Sequence, residues 1–226
     1  MAFQPIVDVG RGVVFGYEAL VRGLNGEGAG EILGRVNDDN RYLFDQQCRI
    51  KAISLAAKLG VDCVLSINFL PNAVYQRERC LRTTLETARE FNFPLRNIMF
   101  EFTEVERISD ADHVKRIVDY YQDVGFFTAI DDFGSGYSGL GLLADFQTGI
   151  VKLDMELIRN IHIDRPRQAI VSHCVAMFRD LNIQPLAEGI ECREEMEWLQ
   201  QAGIELMQGY FFAKPALEAL PEVNFG

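Results

Sequence analysis

The chain has 226 residues with 48% hydrophobic content, enough to bury a full core, and carries 33 Asp+Glu against 22 Lys+Arg for a formal net charge of -11. These values exclude a disordered chain and argue against a binder of long polyanions, which needs clustered Lys and Arg to release counterions. The sequence has no apolar run approaching the roughly 20 residues that span a bilayer, and the opening MAFQPIVDVG lacks a basic stretch and cleavage site, so a cytoplasmic protein without membrane contact is expected.

Short β-branched or aromatic runs alternate with amphipathic stretches, the pattern of βα units. Strands are predicted at Phe3–Val7, Val13–Leu20, Cys63–Asn68, Ile98–Phe102, Phe127–Asp131, Ile150–Leu153, Gln184–Glu188 and Ile204–Gln208. Helices are predicted at Arg41–Leu59, Arg79–Phe91, Asp110–Val124, Arg165–Leu181 and Arg193–Gln201, with shorter ones near Gly139–Ala144 and Met155–Ile161. Eight strands in this alternation predict one α/β unit, a (β/α)8 TIM-like barrel. Its start is irregular: only the region of Gly10-Arg11-Gly12 separates the first two strands, too short for a helical crossover, so they form an antiparallel hairpin. Gly23–Gly30 reads as a flexible loop, and no linker, low-complexity segment or internal repeat divides the chain.

Polar residues fall at the carboxyl ends of these strands: Glu18, Asn68, Glu101, Asp131 with Asp132, Lys152, Glu188 and Gln208. Any one of them could cap a loop. As a set, inside otherwise apolar runs, they would be costly to bury without partners, and converging strand ends are where barrel enzymes draw their catalytic groups. Carboxylate and amide oxygens suit Mg²⁺ or Mn²⁺, whereas zinc favours His and Cys. His113, His162 and His173 fall in or near helical stretches and read as surface or packing residues, and the five scattered cysteines as reduced packing residues. Five acidic side chains, Glu18, Glu101, Asp131, Asp132 and Glu188, match the charge of two divalent cations plus Lys152. Paired metals about 3.5–4 Å apart are a recurring device for in-line attack on phosphodiesters. The adjacency of Asp131 and Asp132 makes a bridging carboxylate reasonable.

Two motifs compete. Gly134-Ser135-Gly136-Tyr137-Ser138-Gly139 fits G-x-G-x-x-G after a strand, with Asp154 downstream, but the two aspartates before it would repel a pyrophosphate and the helix after it looks too short. Asp132-Phe133-Gly134 spells the kinase triplet without the catalytic loop or lysine strand that would accompany it.

With these residues in view, the sequence closely resembles the EAL family of bacterial cyclic di-GMP phosphodiesterases over essentially its whole length. The resemblance rests on Glu18-Ala19-Leu20 within Tyr17–Arg22, Asn68 in Ser66–Phe69, Glu101-Phe102-Thr103-Glu104, the block Asp131–Ser138, Lys152-Leu153-Asp154, Ala187–Glu191 and Gln208-Gly209-Tyr210, in the family's order. It implies Glu18, Asn68, Glu101 and Asp131 as ligands of one metal, and Asp131, Asp132 and Glu188 as ligands of a second. It assigns Lys152 to the attacking water, Gln208 to the metal–water cluster or the phosphate, and Glu104 to anchoring a mobile loop containing 132–140. Gln4, Leu20, Arg22, Asp154 and Pro215 match substrate contacts. Ser135 and Gly139 depart from many relatives within the loop, and Val21 and Gly23 after the signature, but no presumed ligand is changed. The implied activity is hydrolysis of cyclic di-GMP to linear pGpG with Mg²⁺ or Mn²⁺, Ca²⁺ inhibiting. The rival is a receptor that binds the ring without cutting it. A homodimer is implied, as is a sensory or regulatory domain partnering a single EAL unit spanning 1–226, which reads as an excised catalytic domain.

Overall fold

The computed structural model describes residues 1–69, 77–103, 111–136 and 139–226. In chain order it runs β1 (Ala2–Asp8), β2 (Val13–Leu20), α1 (Ala29–Leu33), α2 (Arg41–Lys58), β3 (Val64–Phe69), α3 (Arg77–Glu90), β4 (Ile98–Thr103), α4 (Ala111–Val124) and β5 (Phe127–Phe133). It continues through α5 (Gly139–Asp145), β6 (Ile150–Leu153), α6 (Met155–Ile158), α7 (Arg165–Asp180), β7 (Gln184–Ala187), α8 (Arg193–Gln201), β8 (Leu206–Met207) and β9 (Ala216–Leu217).

Strands β2 to β8 follow one another in parallel around a single sheet, and β1, antiparallel to both β2 and β8, closes it into an eight-stranded barrel. The hairpin expected from the short Gly10–Gly12 connection is present. Gly12 N–H donates to the Asp8 carbonyl at 2.9 Å and Arg11 N–H to Asp8 Oδ1 at 2.9 Å, which fixes the turn. Because β1 runs the other way, its amino end reaches the face where the other strands end. There β9 pairs with it, Ala2 opposite Leu217 and Phe3 opposite Ala216.

Side chains on a strand alternate faces, so every second residue points into the barrel. The lower interior layer is apolar: Ile6, Val64, Met99, Ala129, Ile150, Leu186 and Leu206 form one buried cluster. The β2 position of this layer is Gly16, where a Cβ would lie 2.6 Å from the Val64 carbonyl oxygen, so the side chain is omitted to admit Val64. Outside the strands, a larger core joins them to the helices. Within it the buried Arg49 guanidinium pairs with Asp45 and lies 5.0 Å from the Phe69 ring centroid and 5.6 Å from that of Phe100, on β3 and β4. Helix α6 is shorter than the Met155–Ile161 pattern predicts, because the backbone leaves the helical conformation at Arg159 (ψ 125) and turns left-handed at Asn160 (φ 59). Among the described residues no helix is long and apolar enough to cross a membrane.

Candidate active site

One pleat above the apolar layer the same inward parity delivers polar side chains. Two residues past Gly16 is Glu18; past Val64, Ser66 and then Asn68; past Met99, Glu101; past Ala129, Asp131; past Ile150, Lys152; past Leu186, Glu188; past Leu206, Gln208. On antiparallel β1 the step runs backwards from Ile6 to Gln4, which pairs in register with Glu18. Strand parity, an apolar floor and one reversed strand therefore gather these groups on one face.

Asp132 would ordinarily point away from that face. A β-bulge prevents this: from Ile130 to Phe133 three steps on β5 oppose two on β6, between Val151 and Leu153. Asp132 takes a left-handed conformation (φ 56), which Asp tolerates better than most residues, and both aspartates line the cavity.

At the centre lies Lys152, wholly buried, its Nζ 2.7 Å from Glu188 Oε1, 3.0 Å from Glu101 Oε1, 3.1 Å from Asp131 Oδ1 and 3.7 Å from Glu18 Oε2. Gln208 Nε2 donates to Glu18 Oε2 at 2.7 Å and to Gln4 Oε1 at 3.2 Å, while Asn68 Nδ2 donates to Glu18 Oε1 at 2.8 Å. Asn68 thereby keeps its carbonyl oxygen for another partner.

Electrostatics divides the cluster. Burial pushes Glu18 up, but Lys152 and the hydrogen bonds from Gln208 and Asn68 outweigh it and hold its carboxyl below the usual range. Burial, reinforced by the neighbouring carboxylates, lifts Glu101 and Glu188 well above that range despite Lys152, and lifts Asp131 as well. Asp132 is pushed up to about 6 by burial and by Asp131. Burial would lower Lys152, yet four carboxylates hold it well above an ordinary lysine.

One ammonium cannot balance five carboxylates: Glu101 Oε1 meets Lys152 Nζ at 3.0 Å, but among the described residues Glu101 Oε2 and Gln208 Oε1 are buried without a hydrogen-bond partner. Two groups of carboxylates have ligand atoms within 4.8 Å of one another, Glu18 with Glu101 and Asp131, and Asp131 with Asp132 and Glu188. They share Asp131. An all-oxygen donor set with surplus negative charge and unsatisfied acceptors fits hard divalent cations.

The cluster opens into a cavity of about 410 Å³, lined also by Gln4, Asp154, Met155, Arg159 and Tyr210. Leu20, Asn68, Asp131 and Asp132 also border a more apolar cavity of about 520 Å³. Asp154 caps α6 by accepting the Glu156 N–H at 2.8 Å. Arg22 and Pro215 line neither cavity; the Arg22 guanidinium donates to the Val21 carbonyl at 2.7 Å. Glu104 lies outside the described residues, as do Tyr137 and Ser138. Ser135 Oγ donates to the Asp132 carbonyl at 2.9 Å. Met155, Arg159 and Glu191 escaped sequence reasoning because none ends a strand. Gly209 also lines the cavity; a Cβ there would lie 2.1 Å from the Ile190 carbonyl oxygen, so only glycine lets the two loops meet.

Comparison with known proteins gives a consistent picture. The EAL domain family model matches residues 1–215. A standalone versatile EAL protein from Vibrio cholerae O395, solved in a c-di-GMP bound form, is 67% identical, with a TM-score of 0.96 covering 99% of this chain and 94% of that one. The blue light- and temperature-regulated antirepressor BluF of Escherichia coli (strain K12) is 34% identical over 98% of this chain and 55% of its own length. The cyclic di-GMP phosphodiesterase PdeR of the same strain is 36% identical over 74% of this chain and 24% of its own. The chain thus spans about half or less of these two curated relatives.

Proposed function

The chain belongs to the EAL domain family, and from that premise we propose that it hydrolyses one phosphodiester bond of cyclic di-GMP, giving linear pGpG, with two divalent cations, Mg²⁺ or Mn²⁺. The observation that carries this reading is the pair of carboxylate groups sharing Asp131 around buried Lys152. Glu18, Asn68, Glu101 and Asp131 would hold one cation, and Asp131, Asp132 and Glu188 the other. Bound there, the cations supply a water of lowered pKa and offset charge on the phosphoryl oxygens.

The remaining work falls to the protein. Lys152, held charged by its carboxylates, orients the nucleophile and follows the charge that develops at the phosphate. Gln208 fixes Glu18 and presents its own oxygen, unpartnered among the described residues, to the reacting centre. Gln4, Leu20 and Asp154 border the substrate from the cavity walls, with Arg22 and Pro215 as further contacts. Glu104 anchors the loop 132–140. The working unit is a single EAL domain over 1–226, acting as a homodimer in the cytoplasm. A regulatory or sensory region on the same or a partner polypeptide accompanies it, as the longer curated relatives support.

A second reading is supported by BluF, whose name is that of an antirepressor: a receptor that binds the ring and signals through a partner. The complete oxygen-donor set favours the enzyme. Incubation of purified protein with cyclic di-GMP and Mg²⁺ or Mn²⁺, followed by mass analysis of the nucleotide, separates the two. Conversion to pGpG supports hydrolysis; tight binding with the ring intact assigns the receptor role.

A further inference from the structure

Outside the catalytic cluster a chemically different group of side chains converges. His162, Cys192 and Glu195 offer a nitrogen, a sulfur and an oxygen that all lie within 4.8 Å of one another. His162 stands in the turn after α6, Cys192 at the N-cap of α8, and Glu195 within the first turn of that helix.

The group is already braced. Buried Glu195 accepts the Asn160 N–H on Oε1 at 2.7 Å and the Glu191 N–H on Oε2 at 2.9 Å, leaving each oxygen a further lone pair. Gln168 Nε2 pins the turn by donating to the carbonyls of Ile161 at 2.8 Å and His162 at 3.2 Å. His162 Nδ1 is shut off from solvent and has no hydrogen-bond partner among the described residues. Cysteine also replaces the Ser, Thr, Asp or Asn that ordinarily cap a helix.

We propose that His162, Cys192 and Glu195 bind a zinc ion. A mixed nitrogen, sulfur and oxygen set is zinc chemistry and a poor match to Mg²⁺ or Mn²⁺, which separates this site from the all-oxygen catalytic cluster. Zinc bonds of about 2.0–2.3 Å in a tetrahedron put ligand atoms about 3.3–3.6 Å apart, within reach of the observed spacing by small side-chain rotations. Two backbone amides orient the carboxylate from behind, as the outer partners of metal ligands do. Water completes the fourth position.

The ion would clip together two segments that wall the catalytic cavity. Met155 and Arg159 come from one, Gly189 and Glu191 from the other, and the Arg159–Glu191 ion pair at 3.0 Å already spans them. Bound there, the ion would brace that wall.

Cobalt substitution tests this without reference to hydrolysis, because a thiolate bound to Co²⁺ gives a near-ultraviolet charge-transfer band that carboxylate-bound Co²⁺ does not. Wild-type protein under reducing conditions should develop the band on Co²⁺ addition and lose it when Zn²⁺ displaces the cobalt. Cys192→Ser should abolish it, Cys174→Ser should keep it, and His162→Ala should weaken cobalt binding about tenfold or more. Zinc should also raise the Tm of wild type more than that of Cys192→Ser. No band in wild type at saturating Co²⁺, or a band unchanged in Cys192→Ser, would overturn the proposal.

Discussion

Lys152 Nζ lies 2.7 Å from Glu188 Oε1, and the lysine side chain is shielded from solvent within a ring of four carboxylates. The ammonium thus acts as an internal counter-cation for groups gathered by strand parity. Removing one partner of a buried ion pair typically costs about 3–5 kcal/mol. Lys152→Met should therefore lower the metal-free Tm by on the order of 10 °C at about 2–4 °C per kcal/mol for a chain of this size. It should also cut hydrolysis by about 10²-fold or more. Thermal unfolding in EDTA and in Mg²⁺ checks the first part: cations should restore much of the lost stability, and an unchanged Tm in EDTA would refute the counter-cation role.

Two neutralising substitutions of nearly equal volume should move metal-free stability in opposite directions. Asp131 is held above its ordinary pKa and Glu18 below it, so Asp131→Asn relieves repulsion while Glu18→Gln discards an attraction to Lys152. In EDTA the Tm should rise for the first and fall for the second, by a few degrees each. Both variants should lose most hydrolysis and keep their circular dichroism spectra. Shifts of the same sign would contradict the electrostatic division of the cluster.

Asp132 links stability to pH. Its folded pKa of about 6 exceeds the ordinary 3.8, so between these values the folded protein keeps a proton that the unfolded chain has released. Folding is penalised fully above the folded value, and the penalty is relieved as pH falls toward the unfolded one. The difference converts to about 3 kcal/mol, which solvent screening of this partly open group reduces to on the order of 1 kcal/mol. Metal-free Tm should accordingly rise from pH 7 to pH 5, and Asp132→Asn, which tolerates the same left-handed backbone, should flatten that rise.

Divalent cations should compete with those protons. Apparent Mg²⁺ and Mn²⁺ affinities are expected to weaken as pH falls through about 6, with chelation abolishing turnover. Ca²⁺, which prefers six to eight flexible oxygen ligands, should bind and suppress it. Full activity in excess EDTA would remove the metal-dependent reading.

Control of the loop after β5 is tested at Glu104. If that carboxylate anchors the loop carrying Asp132, Glu104→Ala should lower hydrolysis strongly and shift the Mg²⁺ titration to higher concentration while leaving the fold intact. Superimposable titration curves would make the residue a bystander. With the Ser135 hydroxyl donating to the Asp132 carbonyl, the anchor would act through Ser138 or backbone amides.

The amino-acid sequence makes the barrel, the opening hairpin and the polar strand ends legible, because each is written in local signals: a two-residue period, a connection too short for a helix, and carboxylates interrupting apolar runs. It did not reveal α1, whose glycine-bearing segment has weak helical propensity, or β9, a two-residue strand that exists only because β1 offers it an edge. Asp131 and Asp132 were legible as adjacent acids, but ordinary alternation would send them to opposite faces, and only the bulge against β6 brings both to the cavity. Gln4 reached the site through the reversed direction of β1, and Lys152 found its four carboxylates through barrel closure. Those distances, and the opposite pKa displacements of Glu18 and Asp131, depend on burial among residues far apart in the chain, which local sequence does not encode.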